Sequence, residues 1–190
     1  MRILGLDAST STIGIAVIEY DIDGYFPHLI HSEYYKPEKA DGILDMLLKA
    51  RTYILNIARR FNIDEFVIED YVRFMKNSSS AATTIPLAIL NITLRLTILD
   101  NLHIQPSSLN VLKIRHALKK KNILPKKEEI PELVAEYLRI PYPWLYKINK
   151  RTKEQQIMEE SYDVADAMAV ALAWIKLKSR PVRKAASRKK

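Results

Sequence analysis

Four carboxylates stand where burial is expected. Asp7 closes the apolar run Ile3-Leu4-Gly5-Leu6, and Glu69 closes Phe66-Val67-Ile68. Asp163 and Asp166 open an apolar helical pattern three residues apart, a spacing that puts both on one helix face with ~5–6 Å between Cβ atoms. Each has a plain structural reading when taken singly: a strand-end carboxylate caps a helix or pairs with a cation, and Asp163 in a first turn complements the helix dipole. Gathered at one sheet edge, all four repel one another unless a cation neutralises them. The chain has no cysteine and four histidines, His28, His31, His103 and His116, so zinc is a poor candidate. Oxygen-only ligation fits Mg²⁺ or Mn²⁺. Two such ions ~3.5–4 Å apart would suit phosphodiester hydrolysis, activating a water and stabilising the leaving oxygen.

The charge distribution supplies a partner for such a site. The 190-residue chain carries a formal net charge of +8. Residues 1–112 hold ten Lys/Arg against thirteen Asp/Glu, whereas residues 113–190 hold twenty against nine. Three stretches are free of acids: 113–127, 147–153 and 176–190. One such run is ordinarily a solvated face or solubilising tail. Three in one half of the chain point to a phosphate backbone. Absence of cysteine also excludes a disulfide scaffold, a zinc ribbon and a thiol nucleophile. No leader-like segment follows Met1 and no apolar run approaches the ~20 residues of a membrane span, so the expected location is the cytoplasm, with the DNA.

The elements that must position these residues follow from apolar periodicity. Strands are expected at 3–7, 13–19 and 28–35, opening the chain with an antiparallel meander. Gly14 within the second strand marks a close approach by a backbone or ligand. An amphipathic helix spans about 42–61, a buried-type strand 65–69, and a helix about 81–102 that is apolar nearly all round. A sheet covers one face of that helix, so packing within the domain and a subunit interface both account for it. Beyond it the reading is a strand at 103–106, a basic helix at 109–121, a helix at 128–138, an irregular segment from 141 to about 154, and a last helix from about 160. The expected architecture is one α/β domain, residues 1–178, with a mixed sheet flanked by helices, followed by a disordered basic tail, 179–190.

The segments ILGLDASTSTIGIAV, FVIED and YDVADAMAVAL resemble the three acidic motifs of the RuvC family of Holliday-junction resolvases, within the RNase H-like superfamily. The match falls in order on Asp7, Glu69, Asp163 and Asp166 and reaches nearly to Lys178. It implies an RNase H-like mixed five-stranded sheet, three antiparallel strands then parallel ones. It further implies a homodimer that nicks two opposing strands of a four-way DNA junction symmetrically, with two Mg²⁺ (or Mn²⁺) ions per site held by those four residues. The dimer helix would be 81–102. An aromatic wedge is implied in the segment 73–77, with Phe74 the candidate and Tyr71 its competitor; Lys76 lies in the same segment. By position Lys113 and Lys127 fit the family's phosphate contacts best, with Lys119 or Lys126 as substitutes and Arg115 in the same basic run. Asp70 and the segment 141–153 have no counterpart in the pattern, and nothing in the sequence identifies a branch-migration motor as partner.

Other readings divide on cheap observations. An RNase H-like nuclease for RNA–DNA hybrids or flaps shares the chemistry but needs no paired sites. GLDASTST also resembles the phosphate-binding turn of actin-like sugar kinases, which close two such domains on ATP, more than 190 residues provide. A non-catalytic junction binder gains nothing from four buried carboxylates.

Overall fold

The computed structural model describes residues 1–21, 26–37, 42–70, 81–149, 151 and 153–179. Strands β1 (Arg2–Ala8), β2 (Ile13–Glu19) and β3 (His28–Tyr35) form the antiparallel meander. After helix α1 (Ile43–Arg60), β4 (Glu65–Glu69) returns parallel to β1. Helix α2 (Ala81–Leu102) leads to β5 (Ser107–Leu109), parallel to β4. The sheet order is β3-β2-β1-β4-β5, the expected five-stranded mixed sheet. Helices α3 (Val111–Leu118), α4 (Ile130–Leu138) and α5 (Glu160–Lys178) complete the domain.

The period-two alternation of the strands sorts the core into two layers. Leu4, Leu6, Ile13, Ile15, Val17, Phe66 and Ile68 face α1 and α2. Ile3, Ala16, Ile18, Val67 and Leu109 face α3, α4 and α5. Parity then fixes the chemistry: Asp7 follows Ile3 and Gly5, and Glu69 follows Val67, so both carboxylates project toward α5. The sheet itself chooses the face.

Helix α5 seats on the strands at backbone distance. A Cβ at Gly5 would stand 2.6 Å from the Ala167 carbonyl oxygen and 2.8 Å from Ala171 Cβ. At Gly14, which pairs with Asp7 across β1 and β2, it would fall inside the van der Waals shell of the Asp163 carbonyl. The close approach expected at Gly14 is therefore the first turn of α5. Gly14→Ala must push that turn off the sheet, at about 1–3 kcal/mol for overpacking. The expected result is a melting temperature lower by several degrees in a thermal melt. Unchanged melting would show that the helix can shift freely.

Several boundaries differ from expectation for identifiable reasons. The strand expected at 103–106 lies at 107–109: His103 takes a left-handed backbone (φ 57) at the end of α2, and Pro106 has no N–H for a ladder. The basic helix is shorter than 109–121, because the Asn110 side chain caps it by accepting the Lys113 N–H at 2.8 Å and Lys121 and Asn122 turn left-handed after it. The helix expected from 128 begins at Ile130, after a 3-10 turn at Lys127–Glu129. The segment 141–154 is not wholly irregular: Tyr146–Ile148 (β6) and Gln155–Ile157 (β7) pair as an antiparallel hairpin. Three-residue strands are too short for alternation to register.

The expectation of no membrane-length apolar stretch is corrected too. Thr84–Leu102 is long and apolar enough to cross a bilayer by length and composition, but Asn91, Thr93, Arg95, Thr97 and the pair Asp100-Asn101 interrupt it so that no unbroken run appears. Leu90, Leu94 and Ile98 of this helix are buried against the sheet layer, while Ile85, Ile89, Ile92 and Leu96 are exposed. Those four follow i, i+4, i+7, i+11 and make one bare apolar stripe. The proposed wedge and its neighbours (Tyr71, Phe74 and Lys76) and the tail 180–190 lie outside the described residues.

Candidate active site

The ends of β1 and β4 bring Asp7 and Glu69 beneath the first two turns of α5, which carry Asp163 and Asp166. All four are partly buried. Burial is the largest influence on each and raises its pKa. Mutual repulsion adds to it: Glu69, Asp166 and Asp163 all raise Asp7, which is held well above the usual carboxylate range. Glu69 is pushed up to about 7 by burial and then by Asp166. Asp166 is raised to about 6, chiefly by burial, with Asp163 adding to it. Two cations oppose this. Lys127 favours ionisation at all four carboxylates, with its Nζ 3.8 Å from Asp166 Oδ2, and Arg115 favours it at Glu69 and Asp166.

Around this centre lie two depressions that share Lys127. The inner one, about 170 Å³, is lined by Glu69, Asp166, Arg115, Lys127 and the apolar residues between them. The outer one, about 890 Å³, runs from Asp163 and Tyr162 past Lys127 to Lys36 and the turn Ser9–Thr12. That turn is held by Ser9, whose Oγ accepts the N–H of Thr12 at 3.0 Å and whose N–H donates to the Thr12 carbonyl at 2.9 Å. Lys36 pairs with Glu160, which is lowered chiefly by that hydrogen bond. Of the expected DNA contacts, Arg115 and Lys127 converge on the carboxylates. Lys113 and Lys126 are exposed and Lys119 half-exposed, and none of the three lines either depression.

Sequence reasoning missed Lys36, Glu160, Tyr142 and Asn91. Tyr142, pushed well above its ordinary range mainly by burial, senses both Asp166 and Asp163, and its hydroxyl donates to the Ser161 carbonyl. Asn91 is buried in α2 and donates from Nδ2 to the Glu69 carbonyl at 2.9 Å, tying that helix to the end of β4. A polar residue inside an otherwise apolar helical face was the available signal. Asp70 lies just beyond β4, with its N–H donating to the Leu109 carbonyl at 2.8 Å.

The donor set is carboxylate oxygen throughout, which suits a hard divalent cation. Among the described residues no three His, Asp or Glu groups close around a common point, and Glu69 and Asp166 line the inner depression while Asp163 lines the outer one. Burial first and mutual repulsion second disfavour their ionised forms, and a bound cation would favour them. Raised pKa values in an acid also carry a stability cost. Unfolded Asp and Glu titrate near 4, so between about pH 4 and 7 the cation-free native state holds protons that the unfolded chain has released. Stability must therefore fall as pH rises through that window and level off above it. Glu69→Gln is expected to raise the cation-free stability at pH 8 by on the order of 1 kcal/mol, with the gain vanishing near pH 4. Thermal melts in chelator at the two pH values check it; a destabilised variant at pH 8 would contradict the sign.

A three-antiparallel, two-parallel sheet in the order 3-2-1-4-5, with the last helix laid across β1 and β2, is the RNase H-like fold. Among solved structures it resembles RuvC of T. thermophilus in complex with a Holliday junction substrate, at 16% identity, 91% coverage of both chains and a TM-score of 0.66. It also resembles the yeast mitochondrial Holliday junction resolvase Ydc2, at 13% identity, with 93% of this chain and 78% of that one covered and a TM-score of 0.63. A fowlpox virus resolvase in complex with Holliday junction DNA matches at 16% identity, with 93% and 98% covered and a TM-score of 0.52. No protein-family model matches the chain, and no curated protein does.

Proposed function

We propose that the chain is a homodimeric, divalent-metal-dependent endonuclease that resolves four-way DNA junctions by paired nicks. The observation that carries this reading is the convergence of Asp7, Glu69, Asp163 and Asp166 with Arg115 and Lys127 where the ends of β1 and β4 meet α5. Likeness of fold to resolvases, two of them with junction DNA, supports the substrate.

The four carboxylates would hold Mg²⁺ or Mn²⁺, which when bound supplies an activated water and stabilises the leaving oxygen. Asp163 and Asp166, one helical turn apart, present their oxygens from above, while Asp7 and Glu69 present theirs from the strand ends. Lys127 spans both depressions and is placed to neutralise a phosphate entering the outer one. Arg115 offers planar donors from the inner wall. Partial burial of the carboxylates lowers the local dielectric and strengthens each of these interactions.

The bare stripe Ile85, Ile89, Ile92 and Leu96 supports a twofold pairing through α2, which would set two sites against opposing strands. Single-domain organisation over 1–178 and a DNA-binding tail complete the reading. A mobile four-way junction, linear duplex and RNA–DNA hybrid incubated with protein in Mg²⁺ should separate the readings. The junction should be cut symmetrically and the duplex left. Cutting of hybrid with the junction intact would keep the nuclease and reject the resolvase.

A further inference from the structure

The β6–β7 hairpin has no part in the core or the carboxylate site. All six of its strand residues are exposed on both faces. A two-stranded hairpin alone is marginal in water, so its stability comes from its base or from a partner. The base is well made. Leu145 N–H donates to Ser161 Oγ at 3.0 Å, and Met158 N–H to the Leu145 carbonyl at 2.8 Å. Trp144 packs edge-on against Tyr142 at 4.7 Å and Tyr162 at 5.9 Å. Ser161 and Tyr162 belong to the α5 turn that carries Asp163, so the hairpin and the carboxylates share one mounting.

Its two faces differ. Tyr146 opposes Ile157, and Ile148 follows Tyr146 by two, so these three apolar side chains share one face, at 50%, 44% and 70% exposure. Lys147 points to the other face and interacts with Glu160 at the rim of the outer depression. At the tip, Asn149 orders the turn by accepting the Arg151 N–H on its side chain at 2.9 Å and the Lys153 N–H on its carbonyl at 2.8 Å. Arg151 and Lys153 are exposed there, and 147–153 contains no acid.

The geometry points to the hairpin as a DNA-contacting arm that grips the duplex flanking the cut site. Lys147, Arg151 and Lys153 meet phosphates, and the Tyr146/Ile148/Ile157 face meets deoxyribose and base edges in a groove. A hairpin ribbon fits a DNA groove, and a cation-flanked apolar face matches it better than it matches a protein surface, where lysine is depleted. This rests on the nuclease reading for its neighbour, but its test does not need cleavage.

The experiment measures binding of labelled linear duplex and four-way junction by anisotropy across a salt series, in the Asp7→Asn background. The triple variant Lys147→Ala/Arg151→Ala/Lys153→Ala should weaken binding to both DNAs and flatten the slope of log K against log salt by up to about 2.7, at ~0.9 per phosphate contact. Tyr146→Ser/Ile148→Ser should weaken binding severalfold with the slope unchanged. All these positions are exposed, so melting temperature should hold. An unaltered slope and affinity in the triple variant overturns the arm. So does a Tyr146/Ile148 pair that changes oligomeric state while leaving DNA affinity intact, which assigns the face to a protein. A wild-type protein that binds junction no better than duplex rejects the resolvase reading and leaves the hairpin result standing on duplex alone.

Discussion

Asp7→Asn is expected to abolish cleavage while leaving junction binding within a fewfold of wild type. Asp7 stands at the centre of the cluster, repelled by Glu69, Asp166 and Asp163 together. Removing its charge removes part of the field that holds a divalent cation, and such a cation is worth several kcal/mol of transition-state stabilisation. At 1.36 kcal/mol per tenfold, about 4 kcal/mol is roughly three orders of magnitude in rate. Binding survives because the contacts assigned to phosphate are lysines and arginines that the substitution does not touch. The same physics sets a pH dependence for the wild type. Glu69, at about 7, and Asp166, at about 6, must ionise to hold the cation, so cleavage at limiting metal should rise between pH 6 and 8. More metal should move that rise to lower pH. A variant that cuts at more than a tenth of the wild-type rate would remove Asp7 from the chemistry.

The second large effect concerns assembly. Ile92→Glu/Leu96→Glu places two carboxylates on the bare stripe of α2 without touching the buried Leu90, Leu94 or Ile98. In a twofold interface the change is felt by four side chains. At about 1.5 kcal/mol or more lost for each, the proposed dimer would weaken by ~6 kcal/mol, roughly four orders of magnitude in dissociation constant. Light scattering at micromolar concentration should then report a monomer. On a cruciform plasmid the product should shift from linear DNA to nicked circle, since the two cuts no longer fall within one complex. Wild-type protein that is itself monomeric at that concentration would sink the paired-nick mechanism outright.

The strands that carry the site were legible because their patterns are unambiguous. Runs such as Ile13–Glu19 and Glu65–Glu69 are apolar, short and bounded by turn chemistry, and their limits match the fold. Parity along β1 and β4 was also available in the sequence, since Asp7 and Glu69 both sit two residues past a core position. What could not be read was anything set by packing between distant elements. Asn91 stands out as a polar residue in an apolar helix, but its partner, the Glu69 carbonyl, was not legible because the sequence does not say which helical face meets β4. The resemblance favoured Lys113 over Arg115; the turn of α3 brings Arg115 toward Glu69 and leaves Lys113 exposed. The hairpin was lost to brevity, three residues a strand. Membrane-length apolarity in α2 was lost for the opposite reason: a search for unbroken runs passes over a helix punctuated by Asn91, Arg95 and Thr97.

The seating of α5 on bare backbone also says how such a chain can drift. The protein has only four glycines, and two of them, Gly5 and Gly14, lie directly beneath that helix. Core leucines and isoleucines can exchange for one another at modest cost as long as volume is kept. Opposite the Ala167 and Asp163 carbonyls even a single Cβ forces the helix to shift. Descendants of this sequence can therefore exchange core residues of the sheet and keep the fold, yet at those two positions any residue other than glycine displaces the helix that carries Asp163 and Asp166. The part of the lineage that resists change longest is then the part with no side chain to recognise.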